Sequence, residues 1–317
     1  MHKFHFTTIV SKSHLYKFTA MYTSLSMHCD RFKLYVLCAD EIVYKILKTM
    51  RFEHVKLIKM REIENKRLLK AKKNRNFYAY CWTLKPCFLY HVMMNYHKAR
   101  YFAHLDADLC FFDNPRRIFS ENKNASLFLT HHRNSEDFLQ FYDLTGIYNT
   151  GFVGCKNDDI AKKAVRQWKN KCIKYCPMKE DTIKKAFGDQ RYVEDWPVNF
   201  PGVHIVKTAG ANAAFWNISN YKVTLQNKKV FIDEHPLIFY HFSGLVMVDS
   251  TVYSICLNYS IDDENVVNYI YVPYLKMLKS CIDKVKRKFP NFNEGFLKRE
   301  YLPDANFYVL KSKENDE

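Results

Sequence analysis

The first 105 residues of the chain alternate between apolar, β-branched runs and segments whose apolar residues recur at helical spacing. Strands are predicted at Phe4–Ser11, Phe32–Cys38, Val55–Lys59 and Arg100–Leu105. Helices are predicted between them, at Tyr16–Met27, Glu41–Met50, Arg61–Lys73 and Tyr80–Tyr96. Repeated strand–helix units of this length predict an α/β fold, with a mostly parallel sheet and helices on both of its faces. In such sheets, ligands bind beyond the carboxyl ends of the strands.

The pattern changes after this region. Further strands are predicted at Ser126–Thr130 and Gly151–Cys155, a helix at Asp158–Lys171, and short strands and turns over residues 200–255. A last helix, Tyr274–Lys288, carries one apolar stripe surrounded by lysines. We therefore divide the chain into a main domain of residues 1–255, with halves 1–110 and 111–255, and a C-terminal extension of residues 256–317.

Composition narrows the class of protein. Hydrophobic residues make up 48% of the 317, which is enough for a full core and argues against disorder. The formal charge of +16 favours a polyanionic partner: nucleic acid, anionic lipid or a diphosphate. The basic residues are scattered and show no nucleic-acid-binding motif, which argues against nucleic acid. A solvated, lysine-rich surface explains the same charge.

Cysteine usage and hydropathy indicate the compartment. The ten cysteines include no CxxC pair, and no second pair completes a zinc set with Cys172 and Cys176. Free thiols in a reducing cytoplasm are therefore expected. The N-terminus lacks the apolar core of a signal peptide, and the longest uncharged apolar stretch, residues 236–248, is shorter than the roughly 20 residues that span a bilayer. We expect a cytoplasmic protein, either free or peripheral at the inner face of a membrane.

Two acidic residues follow the fourth predicted strand, in Asp106-Ala107-Asp108. In an extended backbone, residues i and i+2 point to the same side, so both carboxylates can face one ligand. Mg²⁺ and Mn²⁺ prefer oxygen ligands and keep substrate phosphates in their shell. A metal held in this way neutralises a leaving diphosphate. The alternative is a solvated turn.

Four later features accompany this pair: Asp113 before Pro115, Asn149 and Gly151 in a strand, the pair Asp189-Gln190, and His241 followed by Gly244. In this order, over residues 4 to 245, the chain resembles the GT-A glycosyltransferases, and particularly the family-8 retaining enzymes of the bacterial polysaccharide and lipopolysaccharide type. The resemblance implies a GT-A fold and a hexosyltransferase. It also implies a nucleotide-sugar donor, expected to be a UDP-sugar, and Mn²⁺ or Mg²⁺ as cofactor.

The resemblance also implies roles for individual residues. Residues 1–110 would bind the nucleotide and residues 111–255 the donor sugar and acceptor. The metal ligands would be Asp106, Asp108 and His241. The donor-binding residues would be Thr8, Tyr16, Lys85, Asp106, Asn149, Gly151 and Gly244. Trp216 and Asn212 would contact the acceptor, which is a glycan, a glycolipid or a protein. Ordinary structural roles remain open for His241 and Trp216 in the core, and for Lys85 at a helix start.

Asp189 and Gln190 would be the catalytic pair. In a retaining transfer they would orient the sugar while the leaving phosphate deprotonates the acceptor. A double displacement with Asp189 as nucleophile is the alternative. An inverting enzyme would instead use a base such as Glu194 or Asp195. A structural role for Asp189 is to cap the following helix.

The chain also departs from the family, and other functions compete. The lysine that holds the diphosphate after the family's histidine is missing, because Leu245–Val248 stands there. An Asp-x-Asp phosphatase would need Thr or Val where Cys110 stands. A basic nucleic-acid-binding protein and a catalytically inactive sugar-nucleotide-binding protein are the non-enzymatic alternatives. The Tyr274–Lys288 helix is expected either to dock on anionic lipid or to pack on its own domain.

Overall fold

The computed structural model describes residues 4–179, 181, 186–257, 259–303 and 306–311. Residues 1–3 of the predicted main domain and 312–317 of the predicted extension lie outside these ranges. The strands are β1 Phe4–Val10, β2 Phe32–Cys38, β3 Val55–Lys59, β4 Tyr101–Leu105, β5 Leu109–Phe111, β6 Leu127–His131, β7 Tyr148–Lys156, β8 Val203–Ile205, β9 Ala211–Ala214, β10 Val223–Gln226, β11 Lys229–Ile232, β12 His235–Pro236, β13 Phe239–His241, β14 Val246–Met247, β15 Val252–Ser254 and β16 Phe307–Val309.

The α-helices are α1 Leu15–His28, α2 Glu41–Met50, α3 Lys66–Lys73, α4 Phe77–Asn95, α5 Arg116–Glu121, α6 Tyr142–Thr145, α7 Asp159–Lys174, α8 Trp196–Asn199, α9 Glu264–Val266 and α10 Val272–Lys288. Short 3₁₀ turns occur at Lys12–His14, Met60–Glu62, Glu136–Phe141, Gln190–Val193, Ile218–Asn220 and Arg299–Tyr301, and a π-helical turn at Val267–Tyr271 leads into α10.

The central sheet has seven strands in the order β3-β2-β1-β4-β7-β6-β8. Strands β3, β2, β1 and β4 are parallel to one another, and β7 runs antiparallel to both β4 and β6. The prediction of an α/β fold with a mostly parallel sheet is confirmed. Because β4 ends beside the carboxyl end of β1, Asp106 and the start of α1 meet at one edge of this sheet.

Two apolar cores cover the two faces of the sheet, as the period of a strand requires. In β2, Leu34 and Val36 belong to the core that includes α1 and α10, whereas Tyr35 and Leu37 belong to the core that includes α4 and α7. This alternation explains why β1 and β2 are almost continuously buried. The parallel strands are buried on both sides.

The charged region predicted as one helix, Arg61–Lys73, is divided in the structure. Met60–Glu62 forms a 3₁₀ turn, and Asn65 then starts α3 by accepting hydrogen bonds from the backbone N–H groups of Arg67 and Leu68. Such a side-chain cap satisfies donors that a continuous helix would pair internally. The segment therefore changes direction before α3.

The C-terminal segment contacts the main domain. Helix α10 lies against α1, and its apolar stripe is buried in the core through Tyr274, Leu278 and Val285. Strand β16 pairs with β15. This helix was expected either to dock on lipid or to pack on its own domain. In the structure its apolar side packs on the domain. In the described part of the chain, no helix combines the length and the apolar character needed to cross a bilayer.

Candidate functional site

The sheet edge at the end of β4 forms one side of a cleft of about 920 Å³. Asp106 and Asp108 lie in the turn between β4 and β5, and the backbone N–H of Asp106 donates to the carbonyl of Gly151 in β7 (2.8 Å). Strand β5 pairs with β13, in which His241 is the partner of Leu109. These pairings bring residues 106, 108, 151 and 241 together, although 135 positions separate the first from the last.

Asp106, Asp108 and His241 form a candidate metal centre. Each offers one ligand atom, and these three atoms lie within 4.8 Å of one another. The His241 Nε2 atom is 3.2 Å from an oxygen of Asp108, and its buried Nδ1 has no hydrogen-bond partner among the described residues. Two carboxylates and one imidazole suit a divalent ion such as Mn²⁺, so the donor set fits the expected cofactor.

Charge around Asp108 supports this interpretation. Burial would raise the pKa of the Asp108 carboxyl, but His241, Lys17 and His14 together hold it well below its usual range. Asp108 is therefore ionised, as a metal ligand must be. Lys17 itself is buried in α1 and donates to the carbonyl of Leu245 (2.7 Å).

Lys85 lies between the carboxylates of Asp106 and Asp189. Its ammonium lies 2.8 Å from Asp106 and 3.8 Å from Asp189. Burial would lower the pKa of Lys85, but these two carboxylates raise it above its usual range. His104 adds a contact of 3.0 Å from its Nε2 to the second oxygen of Asp106. Lys85 is thus buried in an ion-pair network, not extended along the surface at a helix start.

Asp189 is held away from solvent. Burial raises the pKa of its carboxyl, which Lys85 opposes. Thr150 donates a hydrogen bond to one of its oxygens (2.8 Å), and Trp168 donates to its backbone carbonyl (2.8 Å). Its side chain makes no cap bond to the 3₁₀ turn that follows it, so helix capping does not explain this residue.

The rest of the cleft is largely aromatic. Gln190 also lines it. The indole of Trp216 also lines it, lies edge-on to His241 at 5.3 Å, and donates to the carbonyl of His132 (3.1 Å). Trp216 therefore has a packing role and a surface that faces the cleft. The other aromatic residues of the wall are Phe77, Tyr78, Trp82, Phe138, Phe141, Phe187, Phe215 and Tyr259.

Five of the residues predicted to bind donor or acceptor do not line the cleft: Thr8, Tyr16, Gly151, Asn212 and Gly244. Gly151 lies behind the imidazole of His241. Thr8 is buried in β1, and the hydroxyl of the buried Tyr16 donates to the carbonyl of Phe292 (2.6 Å). The amide of Asn212 donates to the carbonyl of His131 (3.0 Å). Gly244 has a φ of 80°, and the cleft is reached by its neighbour Ser243.

The proposed bases of an inverting reaction are also elsewhere. Glu194 pairs with Arg191 and Asp195 with Lys171. Neither residue lines the cleft.

Sequence reasoning missed three residues of this site: His14, Lys17 and His132. His14 follows β1 at its carboxyl end, so the rule that singled out Asp106 would have found it. Lys17 and His132 belong to no local motif. Their place depends on how α1 and β6 meet the residues around His241.

Comparison with solved structures identifies the class of fold. The galactosyltransferase LgtC, solved in complex with donor and acceptor sugar analogues, matches with a TM-score of 0.53 over 87% of this chain and 95% of that chain, at 9% identity. An active-site mutant of LgtC gives the same TM-score of 0.53 over the same shares, at 8% identity. At such low identity the likeness establishes the fold. This protein has the GT-A fold of nucleotide-sugar transferases, as predicted.

Comparison of sequences identifies the family. The chain is 52% identical over 310 residues to the protein YfnD of Bacillus subtilis (strain 168), covering 98% of this chain and all of YfnD. It belongs to the family of YfnD. The protein YfnF of the same organism is 29% identical over 304 residues, which covers 93% of this chain and 98% of YfnF. No family model matches the chain.

Proposed function

We propose that this protein is a metal-dependent glycosyltransferase that transfers a hexose from a nucleotide sugar, with UDP-sugars as the first donors to test, to an acceptor hydroxyl. The observation that carries the proposal is the cluster of Asp106, Asp108 and His241 at the edge of a large cleft in a GT-A fold. A divalent ion bound there would neutralise the leaving nucleoside diphosphate.

The positive charge beside the cluster supports a diphosphate site. Lys17 lies close enough to Asp108 to lower the pKa of its carboxyl, whereas burial lowers the pKa of His14 and favours its neutral form. Lys17 comes from the start of α1, where the unpaired N–H groups of a helix also favour anions. In this proposal Lys17 supplies the charge that the family-8 enzymes carry after their histidine. Its hydrogen bond to Leu245 places it beside that same segment.

Asp189 and Gln190 are proposed to act on the donor sugar. Gln190 lines the cleft, where its amide can contact the anomeric region. Asp189 is engaged by Thr150 and lies near Lys85, with 3% of its surface exposed. A carboxylate held in this way favours orientation of the sugar and stabilisation of oxocarbenium charge over nucleophilic attack. We therefore favour retention in which the leaving phosphate takes the acceptor proton, as in the family-8 enzymes.

The acceptor is proposed to occupy the aromatic part of the cleft. Pyranose rings and apolar groups both stack on such side chains, and Trp216 stands beside the metal ligand His241. A glycan, glycolipid or protein acceptor would thus meet the donor over the metal centre.

Nucleoside-diphosphate release from a panel of nucleotide sugars in the presence of Mn²⁺ tests the proposal. We expect release with at least one donor, and at least a 100-fold loss on Asp108→Asn. The matched control is Asp159→Asn, the same chemical change at an exposed position at the start of α7. If no donor binds or turns over, or if both variants behave like the native protein, the proposal is wrong.

A further inference from the structure

A basic and partly apolar surface lies beside the aromatic end of the cleft. The segment 66–76 contains six lysines and arginines, and no acidic residue occurs between Glu64 and Asp106. Helix α3 buries Leu68 and Ala71. The helical spacing therefore places Lys66, Leu69, Lys70 and Lys73 together on the outer face, where all four are exposed.

Exposed apolar side chains accompany these charges. Leu69 is 45% exposed in the middle of the basic face. Phe77 and Tyr78, at the start of α4, are 43% and 54% exposed and also line the cleft. Asn76, directly before them, contacts Met178, which is also exposed. An exposed aliphatic and aromatic group of this size is costly in water unless a partner covers it.

Helix α7 extends the positive charge. Burial lowers the pKa of Lys169, and the charges of Arg67 in α3 and Arg166 in α7 lower it further. Each of the two arginines is therefore close enough to Lys169 to repel it. Repulsion of this kind destabilises the free protein and is relieved when an anionic surface binds.

We propose that the α3 surface, defined as Lys66, Leu69, Lys70, Lys73, Phe77 and Tyr78, docks on an anionic lipid bilayer. Lysines attract anionic headgroups, and aliphatic and aromatic side chains enter the boundary between headgroups and acyl chains. Duplex nucleic acid would complement the charge but would leave the aliphatic Leu69 without a suitable partner. The same placement turns the aromatic end of the cleft towards the bilayer.

The terminal helix α10 provides the contrast. It is also basic, with Lys276, Lys284 and Lys288 exposed, but its apolar stripe is buried against α1 and the core. Helix α10 can therefore attract an anionic bilayer through its lysines, but it has no exposed apolar stripe to insert. The two helices can therefore be compared in one experiment.

Sedimentation with vesicles tests the proposal without any donor or turnover, so its outcome is independent of the proposed function. The full chain should bind vesicles that contain phosphatidylglycerol and phosphatidylcholine, and it should dissociate from them as the salt concentration rises. It should not bind vesicles of pure phosphatidylcholine. The triple variant Lys66→Glu, Lys70→Glu, Lys73→Glu should lower the partition coefficient by roughly tenfold or more. The matched control, Lys276→Glu, Lys284→Glu, Lys288→Glu, carries the same change in net charge and should lower it by less than about threefold.

A second variant separates lipid from other polyanions. Leu69→Ser should lower vesicle binding several-fold and leave binding to duplex DNA unchanged, because only the bilayer accepts the apolar side chain. Equal losses in the two triple variants would overturn the proposal in favour of net charge alone. Full vesicle binding by Leu69→Ser, or tighter binding of duplex DNA than of vesicles, would also overturn it. Thermal unfolding confirms that each surface variant is folded.

Discussion

Gly151 in β7 lies directly against the imidazole of His241. A Cβ atom at position 151 would be 2.6 Å from His241 Cε1 and 2.8 Å from the side-chain oxygen of Asn149. Neither neighbour can give way freely, because Asn149 accepts a hydrogen bond from the backbone N–H of Gly151 and the ring of His241 packs against Trp216. The absence of a side chain at this position is therefore what allows the imidazole to stand beside Asp108.

Gly151→Ala is expected to displace His241 and to weaken Mn²⁺ binding by roughly 10- to 100-fold, as loss of a supporting contact does in metal sites. Isothermal titration with Mn²⁺ measures this. The control is Gly154→Ala on the same strand, where the added Cβ would meet Phe119, Phe128 and Phe152 at 3.0 to 3.2 Å. That variant should lose stability and keep its metal affinity. Equal metal affinities in both variants would contradict the role of Gly151.

The Lys85 network predicts an effect of metal on stability. Lys85→Met leaves the buried Asp189 and the half-buried Asp106 without their cation, which should lower the free energy of unfolding by about 3 kcal/mol. A divalent ion beside Asp106 would replace part of the lost charge. Mn²⁺ should therefore raise the melting temperature of the variant by more than it raises that of the native protein.

A surface lysine provides the control for this comparison. Lys59 pairs with Glu41, whose side chain is 74% exposed, and Lys59→Met should change the free energy of unfolding by less than about 1 kcal/mol. Thermal and urea unfolding measure the stability of each of the two variants with and without Mn²⁺. A Lys85→Met variant no less stable than Lys59→Met would show that the buried pair is not needed.

The fold was predictable because the apolar periodicity is strong. The predicted bounds of β2, α2 and β3 are those of the structure, since each is an apolar or amphipathic run with clear ends. The metal cluster was predictable because Asp106 and Asp108 follow a strand and His241 follows in a recognisable order. Lys17 was not, because its position next to Asp108 depends on the packing of α1, which no local pattern encodes.

The same physical limit explains the placement of Tyr16. A tyrosine at the start of the first helix is compatible with a nucleotide site, but rotation of the helix about its axis decides which way it points. In the structure Tyr16 is buried and reaches the segment after α10. Only tertiary packing determines that rotation.

His132 predicts a pH dependence of stability. Burial lowers the pKa of this imidazole to about 4, although backbone hydrogen bonds at Gly146 and Ile147 oppose the shift. An unfolded histidine titrates near 6.5. Between pH 6.5 and about pH 4, this histidine is therefore protonated in the unfolded chain and neutral in the folded protein. The free energy of unfolding falls as the pH is lowered through this range. The contribution at pH 5 is roughly 2 kcal/mol.

Urea unfolding at pH 7 and pH 5 tests this prediction in the native protein and in His132→Asn. The variant lacks the titrating group, so its free energy of unfolding should fall by roughly 2 kcal/mol less between the two pH values. Other titrating groups contribute equally to both proteins, so their effects cancel when the two changes in the free energy of unfolding are subtracted. Parallel pH profiles would show that His132 is protonated in the folded state.

Lys17 predicts how the nucleotide is recognised, and this prediction follows from the proposed function. Its ammonium is buried near Asp108 and donates a hydrogen bond to the carbonyl of Leu245, and no described carboxylate forms a salt bridge with it. A diphosphate bound over the metal centre would gain its attraction, whereas an uncharged nucleoside would not. Lys17→Met should therefore raise the Kd for UDP with Mn²⁺ by roughly tenfold, as loss of a charge contact does, and leave the Kd for uridine unchanged.

The matched control is Lys12→Met, five residues earlier, where the lysine is exposed and pairs with Glu294. Both affinities should stay at their native values in this variant. Titration calorimetry of the two ligands against the three proteins decides the matter: if Lys17→Met weakens UDP and uridine equally, Lys17 supports the fold of the pocket and does not attract the diphosphate.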